Sequence, residues 1–145
     1  MSLVLDAAHA AAIRRHGEAD YPNEACGLMG GRTVGGDGVV TTLVPLANER
    51  REARTHRYVI DPAAYLRAQA ELDRAGLEIL GVYHSHPDHP AEPSEFDREH
   101  AWPHWSYVIV AVARGRAEML RSWRLSEDRT RFAEEPLNVQ ERKSA

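Results

Sequence analysis

The chain has 145 residues, a net charge of −4 from 18 basic and 22 acidic side chains, 43% hydrophobic residues and one cysteine. This is the size and composition of one globular domain; one cysteine excludes an intrachain disulfide framework, and the mild acidity argues against a dedicated nucleic-acid binder, which would show a basic face or stripe. With no apolar run of about 20 residues and no signal-peptide pattern at the start, the expectation is a cytoplasmic protein that spans no membrane.

Asp6 suits the N-cap of a helix that runs through the alanines to about Ala19 and closes before Tyr21-Pro22. Glu24 to Gly31 reads as a strand of small residues. Gly35-Gly36-Asp37-Gly38 reads as a hairpin turn, and Val39 to Leu46 as the returning strand. Asn48 to Arg57 is a polar loop carrying Arg50, Arg51, Arg54, His56 and Arg57, followed by a brief strand at Tyr58-Val59-Ile60. Asp61-Pro62 opens a second helix, with Leu66 and Leu72 on its apolar side and Gly76 as its stop.

Leu77 to His86 is a strand with a buried start, and the three prolines between Pro87 and Pro93 force a loop. Ser94 to about Ala101 is a short helix. Tyr107 to Ala113 is a central strand, turned back at Arg114-Gly115-Arg116 into a strand over Ala117 to Leu125. The single domain takes residues 1–135, and residues 136–145 form a charged tail open to disorder. Helices and strands alternate between hairpins, which predicts an α+β class with a mixed sheet.

His84-Ser85-His86 carries the densest chemistry. Side chains at i and i+2 of a strand share a face, so two imidazoles stand side by side, as two ligands of one tetrahedral zinc require. The bland alternative is a pair of half-exposed histidines at a strand end. Asp97, eleven positions past His86, supplies a carboxylate beyond a reversing loop. Two imidazoles and one carboxylate leave a fourth zinc position open, the catalytic arrangement. Ser94-Glu95-Phe96-Asp97 also fits a helix-capping pattern, which gives Asp97 a structural reading too. Glu24, beside small neighbours, is either a base for a zinc-bound water or an ordinary surface glutamate.

Glu24, His84-Ser85-His86-Pro87 and Ser94-x-x-Asp97, with residues 87–96 as the ten-residue spacer, together resemble the JAMM (MPN-plus) metallopeptidase signature. Pro22 to Leu28, the Asn48 region, Asp61-Pro62, Gly76 to Tyr83 and Ser106 to Val110 are similar to its small stand-alone bacterial branch, and the resemblance spans roughly residues 20–113. It implies a mixed, curved sheet flanked by helices, similar to cytidine deaminases. It implies one zinc ion per chain, held by His84, His86 and Asp97 with water as fourth ligand. Glu24 would be the general base and acid, and Ser94 would either hold the oxyanion or cap its helix.

The implied substrate is a ubiquitin-like β-grasp sulfur-carrier protein (ThiS- or MoaD-like), cut at a peptide or isopeptide bond after its C-terminal Gly-Gly. A homodimer is left open. The second reading is an MPN-type interaction scaffold with bound zinc and little catalysis, against which the five intact residues argue. A nucleobase deaminase needs a Pro-Cys-x-x-Cys segment, which a chain with one cysteine lacks.

Other residues have weaker readings. Asp88 and His89 are candidate substitute ligands by position, and Ser85 faces away from the two histidines and anchors the loop rather than reacting. Cys26 reads as a buried, inert thiol. His9, His16, His100 and His104 read as packed or solvated. The arginines between Asn48 and Arg57 form either a solvated loop or a dock for an acidic partner or C-terminal carboxylate. Trp102 and Trp105 read as packing residues or as an edge that contacts substrate.

Overall fold

The structure, a computed structural model, describes residues 2–48 and 60–141. In chain order the elements are β1 (Leu3–Asp6), α1 (Ala7–Asp20), β2 (Cys26–Val34), β3 (Asp37–Leu46), α2 (Pro62–Arg74), β4 (Glu78–Pro87), α3 (Glu95–His100), β5 (Ser106–Ala113), β6 (Arg116–Leu125), β7 (Phe132–Glu135) and β8 (Leu137–Gln140). Local chemistry sets most boundaries. The Asp6 carboxylate accepts from the His9 N–H at the start of α1, and Asp61 accepts from the Ala64 N–H at the start of α2. Gly76, at φ +71°, supplies the left-handed residue just past α2.

The strands form one sheet in the order β7-β6-β5-β4-β2-β3-β1-β8. It is mixed: β4 runs parallel to β5, and β1 runs parallel to both β3 and β8, while the other pairs are antiparallel. The α+β expectation holds. One face packs against α1 through Ala10, Ile13, Met29, Tyr83, Val108 and Val112. The other face packs Leu28, Val82, Tyr107 and Leu125 against Ala68 of α2 and Ala101 beyond α3. Among the described residues no helix is long and apolar enough to cross a membrane.

β4 is the strand that matters for function, and it is not regular. Met29 pairs with Gly81 while Gly30 pairs with Ile79, so Leu80 is an extra, bulged residue. The bulge re-phases the strand. Ile79 and Val82 both face α2, whereas Leu80 and Tyr83 both face α1. From Val82 onward the even-numbered side chains, including His84 and His86, share the α2 and α3 side. Gly81 permits the close β4–β5 approach, since a Cβ there would lie 1.8 Å from the Ser106 carbonyl oxygen.

Three expectations change. β2 begins at Cys26, so Glu24 lies in the run-in to the strand rather than on it. Leu66 is 61% exposed, because Tyr65, Ala68 and Leu72 form the inward stripe of α2 and Leu66 falls beside it. Residues 137–140, expected within a disordered tail, form β8 on the outer edge of β1, and the Leu3 N–H donates to the Pro136 carbonyl. That strand is too short and polar to announce itself, and its stability comes from completing the hydrogen bonds of β1. The arginines 50, 51, 54 and 57, with His56, Tyr58 and Val59, lie outside the described residues, while Ile60 forms a bridge with Asn48.

Gly81→Ala is expected to destabilise the protein by about 2 kcal/mol or more, as backbone must move to admit the methyl group. Urea unfolding followed by far-UV circular dichroism measures this.

Candidate functional site

The site forms where the C-terminal half of β4 meets the approach to β2 and the first turn of α3. Its distances follow from backbone pairing. Cys26 is opposite His84, and one step further the Ser85 N–H donates to the Ala25 carbonyl at 3.0 Å. The Ser85 hydroxyl oxygen accepts from the Ala25 N–H at 2.8 Å in a buried bond. The Asn48 side-chain amide donates to the Glu24 carbonyl at 3.1 Å. These three bonds hold the segment carrying Glu24 against the strand carrying the histidines.

Glu24, His84, His86 and Asp97 are all buried, with 1%, 0%, 8% and 7% of their surface exposed. Glu24 Oε1 lies 3.3 Å from His84 Nδ1. Asp97 reaches both imidazoles, Oδ1 at 3.7 Å from His84 Nε2 and Oδ2 at 3.2 Å from His86 Nε2. Glu24, His84 and His86 offer ligand atoms that all lie within 4.8 Å of one another. The structure therefore brings together all four residues that the sequence reading selected for metal and base chemistry.

Ser94 caps α3 reciprocally with Asp97. Its Oγ accepts from the Asp97 N–H at 3.1 Å, and its own N–H donates to Asp97 Oδ2 at 2.8 Å. Capping and site formation do not compete here. The cap holds Oδ2 and turns the carboxylate so that Oδ1 faces His84 and Oδ2 faces His86. The Ser94 hydroxyl proton is not spent in the cap, because Oγ acts there as an acceptor.

The electrostatics favour a positive charge at the centre. Burial alone would lower the pKa of His84, but the Asp97 and Glu24 carboxylates outweigh it and raise the value. Burial would push the Asp97 carboxyl up, yet the two imidazoles and the Ser94 N–H hold it well below the usual carboxylate range. Glu24 Oε2 is buried with no hydrogen-bond partner among the described residues. Two imidazoles, two carboxylates and an unsatisfied buried oxygen form a donor set that fits a divalent cation such as zinc. The Pro90 carbonyl, 2.8 Å from His86 Nδ1, completes the fit by keeping the proton on that nitrogen and Nε2 available as a ligand.

The remaining candidates fall outside this centre. The Asp88 carboxylate accepts from the Tyr21 hydroxyl and the Arg114 N–H, and His89 is exposed at the rim of a cleft of about 450 Å³ that Glu24, His86 and Ser94 also line. Cys26 is fully buried, and burial followed by the nearby Glu24 and Asp20 charges pushes its thiol up to about 12. His16 contacts the Tyr83 hydroxyl at 2.7 Å, and His100 stacks on Phe96. Trp105 packs on the core, while Trp102 is 62% exposed; both line an apolar groove of about 760 Å³ between α2 and α3 that reaches Asp97. The Asn48 and Pro90 contacts were not legible beforehand, since both depend on backbone carbonyls that carry no sequence signal.

Comparison with known proteins places these observations in a wider setting. The family described as prokaryotic homologs of the JAB domain matches residues 6–126. The chain is 38% identical over 107 residues to a probable TtuB-protein conjugate cleaving protease of Thermus thermophilus, covering 74% of this chain and 68% of that protein. It is 36% identical over 99 residues to a desampylase of Haloferax volcanii, covering 67% and 69%. It is 31% identical over 140 residues to a CysO-cysteine peptidase of Mycobacterium tuberculosis, covering 96% and 92%. A JAB1/MPN domain protein from Archaeoglobus fulgidus shares the fold, with a TM-score of 0.56 at 17% identity over 96% of this chain and 95% of that one.

Ser85→Ala leaves the buried Ala25 N–H without its acceptor, for an expected cost of about 1–3 kcal/mol. The check is a thermal unfolding scan beside the wild type, with an unchanged far-UV spectrum showing that the fold persists.

Proposed function

From the chain's membership of the prokaryotic JAB family, which makes it a JAB-type peptidase, we propose that it is a zinc-dependent hydrolase of ubiquitin-like, sulfur-carrier-type protein conjugates. The bond cut is the peptide or isopeptide bond after the carrier's C-terminal Gly-Gly. One observation carries this reading: Glu24, His84, His86 and Asp97 converge in a buried cluster, of which Glu24 and His86 line a cleft. The names of the relatives support the substrate class, since one is named as a probable TtuB-protein conjugate cleaving protease and another as a CysO-cysteine peptidase. We place the protein in the cytoplasm, in keeping with its single thiol.

In this reading His84, His86 and Asp97 hold the metal, and the Ser94 cap orients Asp97 for that task. Zinc bound there supplies Lewis acidity, polarising the scissile carbonyl and lowering the pKa of water. Glu24 takes the proton of the attacking water and delivers it to the nitrogen as the carbon–nitrogen bond breaks, so one carboxylate serves as base and then as acid. Its buried, unsatisfied Oε2 is the atom suited to that proton. The Ser94 hydroxyl donates to the oxygen of the tetrahedral intermediate, a bond that strengthens as charge develops. The small volume of the cleft and the burial of the cluster keep folded proteins out and admit an extended tail.

The decisive experiment incubates zinc-loaded protein with a sulfur carrier extended by one residue after its Gly-Gly and follows intact mass. Loss of that residue is expected, and stoichiometric zinc without cleavage would favour the scaffold reading or another substrate. Glu24→Gln is expected to lower turnover at least about 100-fold with zinc retained. Zinc loss in that variant would instead move Glu24 into the ligand set. His84→Ala and Asp97→Ala are each expected to lose the metal, as measured by inductively coupled plasma mass spectrometry.

A further inference from the structure

The loop between β4 and α3 is held by several bonds, and those at Asp88, Pro90 and Ala91 bear on the argument. Its entry is Asp88, which sits at φ +57°, in the left-handed region. A side chain other than glycine pays for that conformation, and aspartate is among those that tolerate it best. Asp88 is bonded on every side: its N–H donates to the Val112 carbonyl at 2.8 Å, Oδ1 accepts from the Arg114 N–H at 2.8 Å, and Oδ2 accepts from the Tyr21 hydroxyl at 2.6 Å. The loop's midpoint is Pro90, whose carbonyl lies 2.8 Å from His86 Nδ1. Next to it, the Ala91 carbonyl accepts from the Trp123 indole N–H at 3.0 Å.

Position in the chain gives the entry point a second consequence. Asp88 is two residues beyond His86, and Tyr21 is three residues before Glu24. The Tyr21–Asp88 bond therefore ties the arm that presents the base to the arm that presents a ligand. Arg114, at φ +51° in the β5–β6 turn, adds a third arm. Released from this junction, the loop would carry the Pro90 carbonyl away from His86, and the imidazole would lose the contact that sets both its tautomer and its direction.

We propose that Asp88 is a positioning residue for the metal centre, a carboxylate clamp that holds His86 in its ligating orientation through Pro90 and joins that arm to the Glu24 arm through Tyr21. The proposal rests on the metal reading given above. It assigns Asp88 a role by contact with backbone and Tyr21, in place of the substitute-ligand role that its position suggested.

The test measures zinc affinity by competition with a chromophoric chelator, independently of peptidase activity. The proteins compared are wild type, Asp88→Ala, Asp88→Gly, Asp88→Asn and Tyr21→Phe. Asp88→Gly removes the carboxylate while relieving the backbone, so any loss there is not strain. Asp88→Ala and Asp88→Gly are expected to weaken zinc binding about 10-fold, the low end of the effect of losing a direct partner of a metal ligand, here the Pro90 carbonyl on His86. Asp88→Asn, which keeps an acceptor for the Arg114 N–H, is expected to recover part of it, and Tyr21→Phe to lose less than Asp88→Gly.

Asp128→Ala is the control. It breaks a comparable turn, in which Asp128 accepts from Ser126 and Thr130, and is expected to leave zinc affinity unchanged. Wild-type affinity in both Asp88→Ala and Asp88→Gly overturns the clamp alone. A wild-type protein that binds no zinc overturns the metal reading and the clamp with it.

Discussion

Two carboxylates and two imidazoles removed from water together are the constraint on which this molecule is built. Ionisable groups are tolerated in an interior only when they are paired and hydrogen-bonded, or when a metal takes the place of the missing charge. Glu24, His84, His86 and Asp97 pair among themselves at 3.2 to 3.7 Å, while Glu24 Oε2 stays without a hydrogen-bond partner among the described residues, the position a cation would satisfy. Each must then be held at that spacing by something outside the cluster. Ser85 and Asn48 hold the Glu24 segment, Ser94 holds Asp97, and Pro90 holds His86. The sheet does the rest, since β4 lies between β2 and β5 and carries the histidines on a face that α2 and α3 partly cover.

The same constraint explains why structural and chemical roles overlap at single residues. Asp97 accepts the Ser94 N–H in the cap of its helix and faces two imidazoles at once. Ser85 satisfies a buried N–H from the side of β4 opposite the histidines, against α1. Gly17 of α1 leaves room for this, as a Cβ there would lie 3.3 Å from the Ser85 Cβ. A small domain has few buried positions, so the residues that assemble the site also assemble the fold.

Substrate access follows from how the cluster is covered. The cleft beside Glu24, His86 and Ser94 is walled by Pro87, Pro90 and Pro93, whose fixed φ angles limit its collapse. The apolar groove lined by Tyr65, Phe96, Trp102 and Trp105 reaches Asp97 from the other side of α3.

Much of this was legible in the amino-acid sequence. The i, i+2 spacing of His84 and His86 places both imidazoles on one face of any strand, and the Ser94-x-x-Asp97 pattern caps any helix that starts there. Asp6, Asp61 and Gly76 mark helix ends by local hydrogen bonding and backbone freedom, which act over three or four residues. Those features depend on neighbours in the chain, so the sequence by itself determined them. The bulge at Leu80, the pairing of β8 with β1, the exposure of Leu66 and the contacts of Asn48, Pro90 and Asp88 were decided only by tertiary structure. The β8, Asn48 and Asp88 contacts join residues far apart in the chain, and the Asn48 and Pro90 contacts run through a backbone carbonyl that every residue possesses. A group common to all residues leaves no mark in a sequence, and its partner is chosen only when the sheet closes around it.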